Sequence, residues 1–95
     1  MKSNSYSCPC CGYSTLAAAP PGTYEICEVC YWEDDPAQFH DPESENGANK
    51  VSLREARENF RAFGAAEQRF LDNVRPARPE ERPLSSGATF RGGSQ

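Results

Sequence analysis

Apolar residues recur at helical spacing in one stretch of the chain. Leu53, Ala56, Phe60 and Phe63 fall three or four residues apart, while Arg54, Arg57, Glu58 and Arg61 lie off that stripe. This is the pattern of an amphipathic helix whose apolar face packs as core. Ser52 and Glu55 have the Ser-x-x-Glu spacing of a capping box, with Ser52 as N-cap, and Val51 stands where it can staple to Ala56. Gly64 interrupts the stripe. It is compatible with one long helix, but as a left-handed C′ residue it would end the first helix before a second over about residues 66–73. The fresh apolar set Phe70, Leu71 and Val74 favours the break.

Nearer the N-terminus the period shortens. Residues 13–16 (Tyr-Ser-Thr-Leu) and 23–26 (Thr-Tyr-Glu-Ile) alternate β-branched or aromatic residues with polar ones, and Pro20-Pro21-Gly22 punctuates the connection. The pattern predicts two short strands joined by a loop, an antiparallel hairpin. Residues 37–50 contain Pro42, Gly47 and two asparagines and read as a loop with a turn around Phe39. Beyond residue 75 come prolines 76, 79 and 83 and a run rich in Ser, Gly and Arg. Residues 76–95 are expected to be extended or disordered unless a surface captures Leu84 or Phe90. The expected domain is therefore 6–75, preceded by a flexible 1–5.

The chain has 95 residues, 37% of them hydrophobic and 25% charged, which bounds it to one small soluble domain with no transmembrane segment. A core of this size is marginal by itself. The cysteines supply what it lacks. Four of the five form two Cys-x-x-Cys pairs, Cys8/Cys11 and Cys27/Cys30, separated by residues 12–26. Each pair puts two sulfurs on one turn, and two such turns complete the thiolate tetrahedron that Zn²⁺ prefers. Pro9 fixes its own φ after the first ligand, and Gly12 can take a positive φ that turns backbone N–H groups toward sulfur. The prediction is a small α+β protein: a zinc ribbon of two zinc turns and a short hairpin, with one or two C-terminal helices packed on it. One structural Zn²⁺ would contribute on the order of 10 kcal/mol of binding free energy unavailable to the unfolded chain.

Other uses of cysteine fit the chain less well. Met1-Lys2-Ser3-Asn4-Ser5 is not followed by the apolar run of a signal peptide, and five is an odd count, so disulfides are not expected and a cytoplasmic location is. Cys8-Pro9-Cys10-Cys11 looks like a thiol oxidoreductase motif, but seven residues leave no room for the strand that precedes one. Iron also suits a tetrahedral S₄ site. Cys10 reads as a small side chain outside the turn, or else as a reactive thiol or exchangeable ligand. His40, the single histidine, lies in an acidic loop and reads as a solvated or capping residue rather than a ligand.

Charge is divided unevenly. Residues 1–49 carry a net −7 and residues 50–95 a net +3. Four thiolates with Zn²⁺ would take the formal net charge of −4 to about −6. Tyr31 and Trp32 read first as a roof over the zinc site and the core, with the adjacent acids wet. The other reading makes Trp32, Glu33, Asp34 and Asp35 the candidate partner surface, with Trp32 as anchor and the acids meeting a basic protein. A monomeric, non-enzymatic interaction module follows, one version being an immunity or antitoxin-like inhibitor that occludes a basic cleft. A nucleic-acid-binding ribbon is the alternative, using Arg54, Arg57, Arg61, Arg69, Arg75, Arg78 and Arg82, though Glu55, Glu58, Glu67 and Asp72 interrupt that stripe. An enzyme using His40, Asp41 or Glu43 is disfavoured, because four thiolates leave no open metal position.

Three blocks carry a family resemblance: Cys8-Pro9-Cys10-Cys11-Gly12-Tyr13; Tyr24-Glu25-Ile26-Cys27 through Cys30, Trp32 and Glu33-Asp34-Asp35-Pro36; and Gly47-Ala48-Asn49 with Ser52-Leu53, Glu55-Ala56-Arg57 and Asn59-Phe60. Over roughly residues 6–76 the chain resembles the small bacterial cysteine-rich CPCC family. The resemblance implies metal binding and names no activity or partner. Members often have Pro where this chain has Glu28, which implies a less rigid, more acidic second turn.

Overall fold

The computed structural model describes residues 6–82. Strand β1 (Tyr6–Ser7) pairs antiparallel with β2 (Ser14–Leu16), Tyr6 facing Leu16 and Ser7 facing Ser14 across an irregular register. These strands flank the first cysteine pair. A second hairpin flanks the other pair. There Ile26 bridges Glu33, Tyr24 N–H donates to Asp34 O (3.0 Å), Asp34 N–H to Glu25 O (3.0 Å) and Cys27 N–H to Trp32 O (3.0 Å). The expected single hairpin of 13–16 with 23–26 is therefore corrected. Each segment pairs across its own cysteine turn, which the Cys8 N–H to Tyr13 O and Cys27 N–H to Trp32 O bonds close. The two hairpins meet instead through Glu25, whose carboxylate accepts from Ala17 N–H (2.8 Å) and Ala18 N–H (3.1 Å).

A short helix, α1 (Pro36–His40), occupies part of the expected loop. Its signal was an Asp-Pro step. Asp35 is the N-cap, accepting from Ala37 N–H (2.7 Å) and Gln38 N–H (3.4 Å), and Pro36 fills the first helical position, where no amide is required. Buried Gln38 then organises the following loop. Its Nε2 donates to Ser44 O, Asn49 O and Val51 O at 3.0–3.2 Å, and its Oε1 accepts from Asn49 N and Nδ2.

Helix α2 (Leu53–Phe63) begins at the expected N-cap, with Ser52 Oγ accepting from Glu55 N–H at 3.1 Å; the reciprocal half of the expected capping box, Ser52 N–H to the Glu55 carboxylate, does not form. It ends at Gly64, whose φ of 94° is the left-handed conformation of a helix stop and whose N–H reaches Phe60 O. Leu53 and Ala56 are buried, Phe60 is half-buried and Phe63 exposed. The second helix expected over 66–73 is a single 3-10 turn, Gln68–Phe70. Ala66 N–H is committed to Cys30 O (2.8 Å) and Ala66 O to Asn59 Nδ2 (2.9 Å), which ties the backbone to the cysteine turn and to α2 at the place where a helix would start.

The core gathers Cys8, Cys27, Val29, Cys30, Trp32, Leu53, Ala56 and Ala66. The chain stays attached to it beyond residue 75, further than expected. Arg75 N–H donates to Glu28 O (3.1 Å), its guanidinium reaches Glu28 Oε1 (2.9 Å), and it forks onto both oxygens of buried Glu81 (3.0 and 2.7 Å). Glu81 closes a further 3-10 turn, Pro79–Glu81. The expectations for residues 1–5, Leu84 and Phe90 lie outside the described residues. Among those described, no helix is long and apolar enough to cross a membrane.

Candidate metal centre

The two cysteine turns have one backbone design. In the first, Gly12 N–H donates to Cys8 O (2.9 Å) and Cys8 N–H to Tyr13 O (2.9 Å); in the second, Tyr31 N–H donates to Cys27 O (2.7 Å) and Cys27 N–H to Trp32 O (3.0 Å). The residue after the second cysteine has positive φ in both, 84° at Gly12 and 71° at Tyr31. Gly12 adopts this freely; Tyr31 does so under local strain, held by the hairpin around it. Each turn also aims an amide at its first sulfur, Cys10 N–H at Cys8 Sγ (3.4 Å) and Val29 N–H at Cys27 Sγ (3.3 Å).

Facing one another, the turns bring Cys8, Cys11, Cys27 and Cys30 together with every Sγ within 4.8 Å of the rest. Cys8 and Cys30 are 3.6 Å apart, and Cys11 and Cys27 3.7 Å. A tetrahedron of sulfurs about 2.3 Å from a central ion has edges of about 3.8 Å. These are non-bonded separations, far longer than a disulfide. The four residues predicted as ligands are thus positioned to bind a metal ion.

Electrostatics explain why a cation belongs there. The Cys27 thiol is held far below the usual thiol range, first by the hydrogen bond from Cys11, then by those from Cys30 and Cys8, with Thr15 adding to them. Cys30 is pushed far up, first by its contact with the Cys10 side chain, and Cys11 is pushed up, first by Cys27. Four thiols this close and this buried do not ionise together unless positive charge compensates them.

Thr15 is a site residue that the sequence pattern left as a strand position. Its Oγ1 donates to Cys27 Sγ at 3.0 Å from β2. Strand alternation turned it toward the second turn, but nothing in the sequence said that the turn would lie there. Cys10, expected on the outside of its turn, is instead buried in the core cluster, and it lies outside the group of four. His40 is exposed at the end of α1 with its ring edge-on to Phe39, away from the cysteines.

The proposed partner surface is corrected by burial. Trp32 is 1% exposed, Asp34 1% and Asp35 7%. Trp32 belongs to the core, Asp34 accepts from Thr23 N and Oγ1 (2.9 and 2.8 Å), and Asp35 caps α1 while accepting from Ala48 N–H (2.8 Å). Glu33 is partly exposed, its backbone paired with the Asn49 side chain. Buried polar groups need partners: Asp35 has them on both oxygens and Asp34 on Oδ2, while Asp34 Oδ1 and Trp32 Nε1 are buried without one.

Four of the seven arginines of the alternative stripe are similarly occupied. Arg54 pairs with Glu43 and Glu58, Arg57 donates to Pro9 O (2.9 Å), Arg69 pairs with Glu67, and Arg75 with Glu28 and Glu81. Arg57 thereby fastens α2 to the first cysteine turn, and Arg75 fastens the C-terminal segment to the second through Glu28.

A search of curated proteins finds no match. The family model described as cysteine-rich CPCC matches residues 6–81, the span that holds both cysteine turns, both helices and the Arg75–Glu81 closure. On that match and the four-cysteine cluster, the chain belongs to the cysteine-rich CPCC family.

Proposed function

We propose that this protein is a non-enzymatic domain organised by one structural Zn²⁺ on Cys8, Cys11, Cys27 and Cys30. The observation that carries this reading is the pair of Sγ separations, 3.6 and 3.7 Å, within a cluster held by two matching turns. Four thiolates fill a tetrahedral ion, leaving no position for water or substrate, and such closed sites support folds rather than reactions. Native mass spectrometry and elemental analysis test it. One zinc per chain is expected, with loss of the native near-ultraviolet spectrum on chelation; a metal-free chain that keeps its fold, or stoichiometric iron, gives the opposite answer.

The domain's role, on this reading, is to bind a protein with a basic surface, as an immunity or antitoxin-like inhibitor would. With the Glu33–Asp35 block largely internal, the acids that support a partner are those exposed after α1, among them Asp41 and Glu45. Co-purification with the Asp41→Asn, Glu45→Gln double variant should lose partners that the wild type retains; equal recovery removes the idea. The engaged arginines make a phosphate-binding face the weaker alternative, and a low-salt nucleic-acid titration with no binding would close it.

A further inference from the structure

We infer that Cys11 is the reactive sulfur of the centre, the ligand at which a soft electrophile attacks first and from which the metal is then lost. The inference rests on the four-thiolate zinc reading and adds that the four ligands are chemically unequal. Two properties decide nucleophilicity at a metal-bound thiolate: whether hydrogen bonds draw off its charge, and whether a reagent reaches it. Cys8 accepts from the Cys10 amide, and Cys27 accepts from both the Val29 amide and the Thr15 hydroxyl. Among the described residues, Cys11 and Cys30 receive no hydrogen bond from anything but a neighbouring sulfur. Cys8, Cys27 and Cys30 are closed to solvent at 2%, 0% and 0% exposure, whereas Cys11 is partly exposed. Free charge and access coincide at Cys11 alone.

The asymmetry comes from the residue that follows each second cysteine. After Cys11 stands Gly12, which places no side chain on the turn, and a Cβ built there would meet nothing within 4 Å. After Cys30 stands Tyr31, whose ring packs 4.7 Å from that of Phe70. The same turn thus carries no side chain after its second cysteine in one copy and a packed aromatic in the other.

In the reaction, a lone pair of Cys11 Sγ forms a bond to the electrophilic carbon, and the leaving group departs with the electrons of the bond that breaks. The product is a neutral thioether in place of an anionic thiolate, a weaker ligand for a divalent cation. With iodoacetamide as the probe, the new bond is S–C, the broken one C–I, and iodide leaves.

The test uses the full chain, its zinc content measured beforehand, with less than one equivalent of iodoacetamide and a chromogenic chelator in solution. Peptide mapping is expected to find the first label on Cys11, with one zinc released per label, and Cys10→Ser is expected to leave the rate of release unchanged. First labelling of Cys10 with zinc retained, first labelling of any other cysteine, or slower release from Cys10→Ser would each overturn the inference. A chain without zinc at the outset fails the structural-metal reading and this one together, whereas a zinc-loaded chain labelled elsewhere fails this one alone.

Discussion

A Cβ added at Gly47 would lie 2.7 Å from Gln38 Oε1 and 2.9 Å from Asp35 Oδ2. Neither oxygen is free to retreat, because the first accepts from Asn49 and the second from Ala48. Gly47→Ala should therefore destabilise by about 1–3 kcal/mol, the usual penalty for overpacking, read as a lower denaturation midpoint at unchanged metal content. Thr15 offers the converse experiment, since Thr15→Val keeps the shape and removes the hydroxyl aimed at Cys27. Outer hydrogen bonds to metal ligands are worth about 10–100-fold in affinity. A loss in that range, measured by chelator competition and recovered in Thr15→Ser, is expected. Both residues show where a sequence falls short. The alternation that placed Thr15 on a strand gave its face but not its neighbour, and Gly47 looked like a loop glycine because the side chain crowding it is Gln38, buried from nine positions upstream.

Element by element, local chemistry was the legible part. Ser52 caps α2 and Gly64 stops it, both as their residue types predict. Ser52→Ala should lower stability by about 1 kcal/mol, measured by urea unfolding of the metal-loaded protein, since the Glu55 amide would lose its acceptor. The cysteine turns were legible too, from spacing alone. What the periodicity could not supply was pairing. Residues 13–16 and 23–26 both read as strands, yet only 14–16 forms one, while 23–26 keeps a single bridge at Ile26 and turns left-handed at Tyr24. An alternating pattern carries no record of which segment lies opposite, and each pairs across its own cysteine turn. Acid residues misled for a related reason. Asp34 and Asp35 are as charged in the sequence as any surface carboxylate, and only the fold brings Thr23 and Ala48 to them.

For the molecule as a whole, the closure by Arg75 gives a pH dependence. Glu81 is held below its ordinary value near 4.5, first by the hydrogen bond from Arg75. A depressed folded-state value means that the pair's contribution is complete above the ordinary carboxylate range and fades as pH falls through the lowered one. The stability gap between wild type and Glu81→Gln should be widest at neutral pH and close on acidification, followed by guanidinium midpoints at matched metal occupancy. A gap that stays constant would assign Glu81 a purely steric role. This closure was hidden in the sequence because Glu28 and Arg75 stand 47 positions apart and the segment between them reads as helix and loop.

The twin turns also divide the ligands evenly between two stretches of chain. Cys8 and Cys11 precede the exposed alanines 17–19, and Cys27 and Cys30 follow them. A protease cutting there would leave two fragments, each with half a coordination sphere and neither able to complete one alone. An ion bound by all four sulfurs would then rivet the separate peptides, with the Arg57–Pro9 hydrogen bond and the Tyr13–Phe60 ring contact beside it.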